Sequence, residues 1–507
     1  MTSHLLICVP PTPNGDLHLG HLSGPYLGCD ILARSLRRRG DDVLSVAGID
    51  DNQGYVLRRA MEHNCSPREI AEHYGRRIRA TWELGLFQFD LTKSTHGDAE
   101  YDDFVRKFFW RLVESGGIVK RRSRSLYDGS GAHHLYQGFI RGACPHCGAP
   151  ADGNMCEECS RPNEGWDLRD RRPTFPRLGE RVEEEERYFI DLNQDDRRRL
   201  AAFAAGVRAT GDQHAYYRSL LSSDEIPLSA ATHVSPWGIA LQADAAAPRA
   251  VVDVWLEMGA AFLYYPAYAG KDWREYWRGS ASKSVFFGYD NSFYVAAMFP
   301  HLYAWLDPSL SGPDYLYSNY FLHLEGAKFS TSRNHAIWGA DFFASEPVDI
   351  GRLYLAYNRP EGAIANFTMT EYTAFKAEMT PAFETLSRLV NAFELSTVQE
   401  RLVSLAHRPG DHAAFFSSIE DIDKALLPDA FSPRTAARES VSLIRDVTRA
   451  AGAAQRTTLD LAAQAAAIVG AISPIAPQIF EKLLLAGDQD RSPMWAVDQR
   501  GRIAVAR

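Results

Sequence analysis

Long hydrophobic runs are missing from this chain of 507 residues. No stretch of about 18 apolar residues occurs, which excludes a membrane-spanning helix. The N-terminus also lacks the basic segment leading into an apolar one that a secretory leader needs. These absences predict a soluble, cytoplasmic protein with no membrane partner. Positive charge is in deficit too: 55 Lys and Arg face 64 Asp and Glu, a formal net charge of −9. A general nucleic-acid binder is thereby excluded, although a local basic patch could still hold RNA. Cysteine is scarce, seven in all, which fits a reducing compartment provided that the four clustered ones have another task. Internal repeats and low-complexity tracts are absent, so no solenoid or array is expected. What is left is an ordinary globular composition, 45% hydrophobic and 23% charged. Its length calls for roughly two to four domains.

Residues 10–21 organise the rest, reading Pro-Pro-Thr-Pro-Asn-Gly-Asp-Leu-His-Leu-Gly-His. An apolar run, Leu5–Val9, leads in. Leu22–Leu36 follows with helical apolar spacing, and Arg34, Arg37, Arg38 and Arg39 lie near its end. This predicts strand, tight turn and helix. The free N–H groups and dipole of a helix start at a strand end favour an anion. Gly20 lets a nucleotide lie close to the backbone. His18 and His21 supply donors for phosphate oxygens, of most use when charge builds during reaction. A turn with two solvated histidines is the alternative, since short motifs match by chance. Strand-like Val43–Gly48 then ends in Ile49-Asp50-Asp51-Asn52-Gln53-Gly54, acidic groups where a doubly wound sheet presents its ligand face. A solvated turn is the alternative there.

Residues 66–115 read as amphipathic helix covering the sheet, and His96 in Ser94-Thr95-His96 is assigned no role. Cys144-Pro-His-Cys147 is followed after eight residues by Cys156-Glu-Glu-Cys159. That spacing suits tetrahedral coordination of one Zn²⁺ by all four thiolates, which leaves no open position and makes the metal structural. Paired redox dithiols are the alternative, disfavoured because neither knuckle opens a helix in a βαβ unit. The charged stretch Glu180–Arg187 reads as a solvated face. Val251–Leu256 and Ser284–Gly288 read as strands returning to the sheet. Gly326-Ala-Lys328-Phe-Ser330-Thr-Ser332-Arg333 has the cation and hydroxyls of a mobile phosphate-handling loop. From about residue 376 the pattern is helical and rich in Ala and Leu, as in a bundle.

Taken together, Pro13-Asn14-Gly15-x-Leu17-His18-Leu19-Gly20-His21 resembles the HIGH signature of class I aminoacyl-tRNA synthetases, and Lys328–Arg333 resembles their KMSKS loop. The order of motifs is most similar to the methionyl-tRNA synthetase family, and the resemblance covers nearly the whole chain. It implies an α/β fold: a Rossmann-like class I synthetase catalytic domain in two halves, 1–117 and 231–340. Between them, 118–230 forms a connective insertion with the zinc knuckle, introduced by Tyr136-Gln-Gly-Phe-Ile-Arg-Gly142. A linker at 341–375 precedes a helical bundle, 376–507, resembling an anticodon-binding domain. The implied activity is ATP-dependent amino-acid ligation, in which a carboxylate attacks the α-phosphate to give aminoacyl-adenylate and pyrophosphate. By the same resemblance His18, His21 and Lys328 are catalytic, while Asn14, Gly20, Asp290, Ser330 and Ser332 hold ATP. Asp51 anchors the amino acid's ammonium. Pro10, Thr12, Trp255, Met258, Phe262 and Val295 surround the rest of that substrate. ATP, its Mg²⁺ and structural Zn²⁺ are the implied cofactors.

Departures from the family pattern bear on the substrate. Thr331 stands where the second lysine of the loop belongs, and Tyr289 replaces the lysine before Asp290. Thr12 replaces a pocket tyrosine, Glu257-Met258-Gly259 replaces Asp-Ala-Pro, Phe262 replaces a second tyrosine, and Val295 replaces a histidine. Each such contact decides roughly 1–3 kcal/mol of discrimination, so several changing together imply an amino acid other than methionine, a smaller one such as glycine. The bundle has no Trp between Trp338 and Trp495, whereas the family stacks one on an anticodon base. Reading of the methionine anticodon is therefore expected to be lost. A small-molecule acceptor then replaces tRNA, as in the hydrazine-synthetase-type relatives that join an amino acid to an N-hydroxylated amine. Some of those relatives are fused to a cupin, which brings in a cupin as a partner. A genuine methionyl-tRNA synthetase charging tRNA and a non-catalytic nucleotide-binding relative are the alternatives.

Overall fold

The computed structural model describes residues 2–223, 226, 228–242, 249–310, 312–329, 335–453, 458–484, 496–497 and 503–504. Its centre is a five-stranded parallel sheet built from β1 (Ser3–Cys8), β2 (Asp42–Ala47), β3 (Arg208–Ala209), β4 (Ser282–Gly288) and β5 (Tyr315–Asn319), in the order β2-β1-β4-β5-β3. Residues 4–8 of β1 are all buried. A near-continuous apolar run is what a parallel strand covered on both faces requires.

The chain leaves β1 through the residue 10–21 turn and enters a kinked helical stretch. Pro25 has no N–H to give to a helix ladder, and Gly24 beside it leaves helical geometry, so the regular helix α1 begins only at Leu27 and runs to Arg38. Helices α2 (Gly54–His63), α3 (Pro67–Leu84) and α4 (Ala99–Ser115) follow β2. Ser66 with Glu69, and Asp98, accept the free N–H groups that start α3 and α4.

Two elements differ from the expectation. β3 and its flanking helices Gln194–Gly206 and Gly211–Leu221 fall within 118–230, yet β3 pairs with β5 and completes the main sheet. A two-residue strand leaves no period to detect. Val251–Leu256 does not return to the main sheet: Arg249–Val252 pairs antiparallel with Thr232–Ser235 in a separate two-stranded sheet, and Asp253 starts helix α5 (Val254–Tyr268) by accepting from the Trp255 N–H at 2.9 Å. An apolar run buried all round does not tell strand from helix. The acidic run 183–186 is also a strand, with Lys120–Glu186 at 2.9 Å and Arg122–Glu184 at 3.0 Å as cross-strand pairs.

The bundle begins at Met369 and packs its helices around one core that continues into the catalytic domain. Arg352, fully buried, pins the two together. It pairs with the fully buried Asp30 of α1 at 2.5 Å and donates to the Ile475 carbonyl at 2.8 Å. Among the described residues no helix is long and apolar enough to cross a membrane.

Candidate active site

A cleft of about 470 Å³ opens where β1, β2, β4 and β5 end, the ligand face of an open parallel sheet. A larger groove, about 610 Å³, lies at the opposite ends of β3–β5. Its charged walls are already engaged, since Lys283 pairs with Asp314 at 3.0 Å. None of the residues singled out from the sequence lines it.

His18 and His21 are held by a backbone clamp, the Leu19 N–H donating to the Ile337 carbonyl at 3.1 Å and the Gly339 N–H to that of Leu17 at 2.8 Å. Their rings stack with centroids 3.7 Å apart, and His18 stacks in turn on Phe329 at 4.6 Å. A Cβ on Gly20 would stand 3.0 Å from the His18 ring and 3.3 Å from Phe329, so a larger residue there would press on this stack. Desolvation, with the charge of His21 adding to it, lowers the His18 pKa to about 2. His21 opens into the cleft, yet the surrounding protein and then Lys328 lower its pKa to about 4. Both imidazoles are therefore neutral near pH 7 and each carries one N–H donor.

Lys328 reaches across the cleft. Its ammonium pairs with Glu157, from the loop between the last two clustered cysteines, and lies 4.0 Å from the centre of the Phe321 ring. A nucleotide must compete with Glu157 for this cation. Half-exposed ion pairs are worth about 0–1 kcal/mol, so Glu157→Gln is expected to tighten ATP binding by a factor of about 2–5, read from the KM for ATP at low salt.

The adjacent aspartates have different surroundings. Asp51 accepts from Ser94 Oγ at 3.1 Å, the Thr95 N–H at 2.9 Å and the His96 N–H at 3.2 Å, and does not line the cleft. The acid on the cleft wall is Asp50. Gln137 donates its amide to Gln53 Oε1 at 2.8 Å, which turns the Gln53 amide N–H toward Asp50. Desolvation, with Asp51 and Asp253 nearby, raises Asp50 to about 8. The expectation for Asp51 is corrected accordingly: the Ser94-Thr95-His96 turn, which sequence left without a role, occupies its carboxylate.

Pro10, Thr12, Asn14, Gly20, Trp255, Met258 and Asp290 are brought together on the cleft wall. Burial, then Glu157, raises Asp290 to about 6. Trp255 lies flat on Tyr294 at 4.0 Å and donates its indole N–H to Asn154 at 2.9 Å. Phe262 and Val295 do not reach the cleft. Both are fully buried, Phe262 one helical turn beyond Met258 and against Phe299 at 5.2 Å. Ser330 and Ser332, with Thr331 and Arg333, lie outside the described residues.

The four clustered cysteines converge. Their Sγ atoms lie within 4.8 Å of one another, with Cys144–Cys159 at 3.9 Å and Cys147–Cys156 at 3.5 Å. A tetrahedral Zn²⁺ with bonds of about 2.3 Å has sulfur edges of about 3.8 Å, so the four thiolates fit that ion, which would crosslink the knuckle without joining the chemistry. The knuckle folds onto the cleft. Ser160 Oγ donates to the Asp290 carbonyl at 2.7 Å and accepts from the Phe293 N–H at 3.2 Å, while Asn154 holds Trp255. Tyr55, Asp152, Asn154 and Glu157 on the wall were missed from sequence. Only their nearness to Cys156 or to the Asp50 turn marked them.

The fold is shared with solved structures. Mycobacterium tuberculosis methionyl-tRNA synthetase, solved with methionyl-adenylate, superposes with a TM-score of 0.72 over 97% of this chain and 96% of that one, at 17% identity. The Thermomicrobium roseum methionine–tRNA ligase is 30% identical over 460 residues, covering 87% of this chain and 76% of its own. The Christiangramia forsetii enzyme of that name is 29% identical over 375 residues, and there the match spans 72% of this chain but just over half, 54%, of the relative. The model of the family described as tRNA synthetases class I (M) matches residues 4–380, taking in the cleft, the knuckle and Lys328, and by that match the chain belongs to the class I (M) tRNA synthetases.

Proposed function

We propose that the chain activates an amino acid smaller than methionine as its adenylate and passes the acyl group to a small-molecule acceptor amine. ATP, carrying its Mg²⁺, lies along the residue 10–21 turn with its ribose at Asp290. The substrate carboxylate attacks the α-phosphorus, a new P–O bond forms, and the bond to the β-phosphate breaks with its electron pair leaving on pyrophosphate. The neutral N–H donors of His18 and His21 meet the charge that grows on the phosphates, and Lys328, released from Glu157, follows the departing pyrophosphate. Asp50, rather than Asp51, takes the ammonium.

The observation that carries the choice of substrate is Met258 on the cleft wall beside Trp255, with Phe262 and Val295 shut away behind it. A methionine side chain would need that space. Met258→Ala is accordingly expected to raise exchange supported by methionine about 10–100-fold relative to the small substrate, checked by the ratio of kcat/KM values. Methionine activation with tRNA charging is the second reading, favoured by the identity of the relatives over most of this chain. ATP–pyrophosphate exchange against an amino-acid panel, then product mass analysis with tRNA or N-hydroxylysine added, separates the two. Methionyl-tRNA as product would overturn the first reading.

A further inference from the structure

A second cavity, about 10 Å³ and so roomy enough for one small group, lies directly behind the cleft and shares with it the wall formed by Pro10, Asp50 and Met258. Its far side is formed by Tyr101 of α4 and by Glu257 and Tyr265 of α5. Glu257 is only 3% exposed. Its Oε1 accepts from Asn52 Nδ2 at 2.9 Å and from the Tyr101 hydroxyl at 3.3 Å, whereas Oε2 is buried with no partner. The charges acting most strongly on Glu257 are Asp50, Asp102 and Asp51, and those on Asp50 are Asp51 and Asp253, all of them acids. Burying two carboxyl groups beside one another without a cation is costly. Such an arrangement belongs where the cation comes with a ligand.

We propose that Glu257 contacts substrate: with Asp50 it forms a slot for the unsubstituted primary ammonium of the activated amino acid, whose N–H groups donate to Glu257 Oε2 and Asp50 while its carboxylate faces the nucleotide. This rests on the reading that the chain activates an amino acid. One carboxyl keeps its proton, since burial raises both groups, so a single anion balances a single cation. The slot selects against N-methylated amino acids, because an added methyl has no room.

Glu257→Gln tests the slot. It keeps an oxygen for Asn52 and Tyr101 and replaces the unpartnered acceptor Oε2 by an amide N–H, which cannot accept from an ammonium. The full chain, assayed by ATP–pyrophosphate exchange with whichever panel amino acid it accepts, is expected to show a KM for that amino acid raised about 10–100-fold. The KM for ATP should be unchanged and the melting temperature equal or higher. A purely structural Glu257 would instead lower the melting temperature and leave both KM values alone, which overturns the proposal. If no amino acid supports exchange, the activation reading fails, and the slot is then tested separately with methylammonium chloride against tetramethylammonium chloride at equal concentration. Thermal stabilisation of the unmodified chain by methylammonium alone, abolished in Glu257→Gln, supports the slot; identical responses overturn it.

Discussion

Replacing His21 by alanine is expected to slow adenylate formation by about 10²–10³, the cost of removing one donor aimed at developing charge in a preorganised site. The amino-acid KM should hardly move, because on the proposed function the imidazole meets phosphate rather than the ammonium. Pre-steady-state adenylate formation checks the rate. The fold should survive, since His21 is exposed to the cleft and its ring contacts, the stack on His18 and the bond accepted from the His18 N–H at 3.3 Å, lie within the same turn. The same substitution has a pH signature. The folded-state pKa of His21 lies at about 4, below the ordinary 6.5, so the unfolded chain binds the proton more readily. Stability is full above about pH 6.5 and is lost as pH falls from there through about 4. His21→Ala removes that contribution, and its melting temperature should fall less steeply than that of the unmodified protein between those values.

The other large effect concerns the knuckle. One zinc per chain is expected by metal analysis, and its removal, or Cys156→Ser, should abolish exchange by a factor of roughly 100 or more. Structural zinc sites in small peptides supply about 10–16 kcal/mol of folding energy, and here the loop they close carries Ser160, Asn154 and Glu157. Without it the Asp290 carbonyl loses its Ser160 hydroxyl and Trp255 loses its Asn154 partner. The cores that pack the parallel sheet and the bundle include none of the four cysteines, so helical circular dichroism should be largely kept while activity goes. Loss of helical signal in step with zinc would contradict this division.

The parts of the molecule legible in the sequence were those whose chemistry demands a fixed spacing. The residue 10–21 turn needs its histidines three positions apart around a glycine-compatible backbone, and four thiolates need paired knuckles. Apolar β1 and the strand before Gly288 could be placed because parallel strands are continuous hydrophobic runs. What could not be read was direction. Asp50 and Asp51 are neighbours in one turn, and which of them faces the cleft depends on the distant residues 94–96 and on Gln53 and Gln137. Nor does any local pattern show that the loop carrying Glu157 folds onto the cleft, or that Phe262 lies one turn behind its wall. Those facts arise from tertiary packing, where side-chain periodicity no longer decides.

The most direct measurement is pyrophosphate exchange at saturating ATP with glycine and with methionine, each compared as kcat/KM on the unmodified chain. Exchange with glycine exceeding that with methionine by at least about 100-fold, the value of a few pocket contacts, is the result expected of a cleft closed by Met258. Preference for methionine would contradict it.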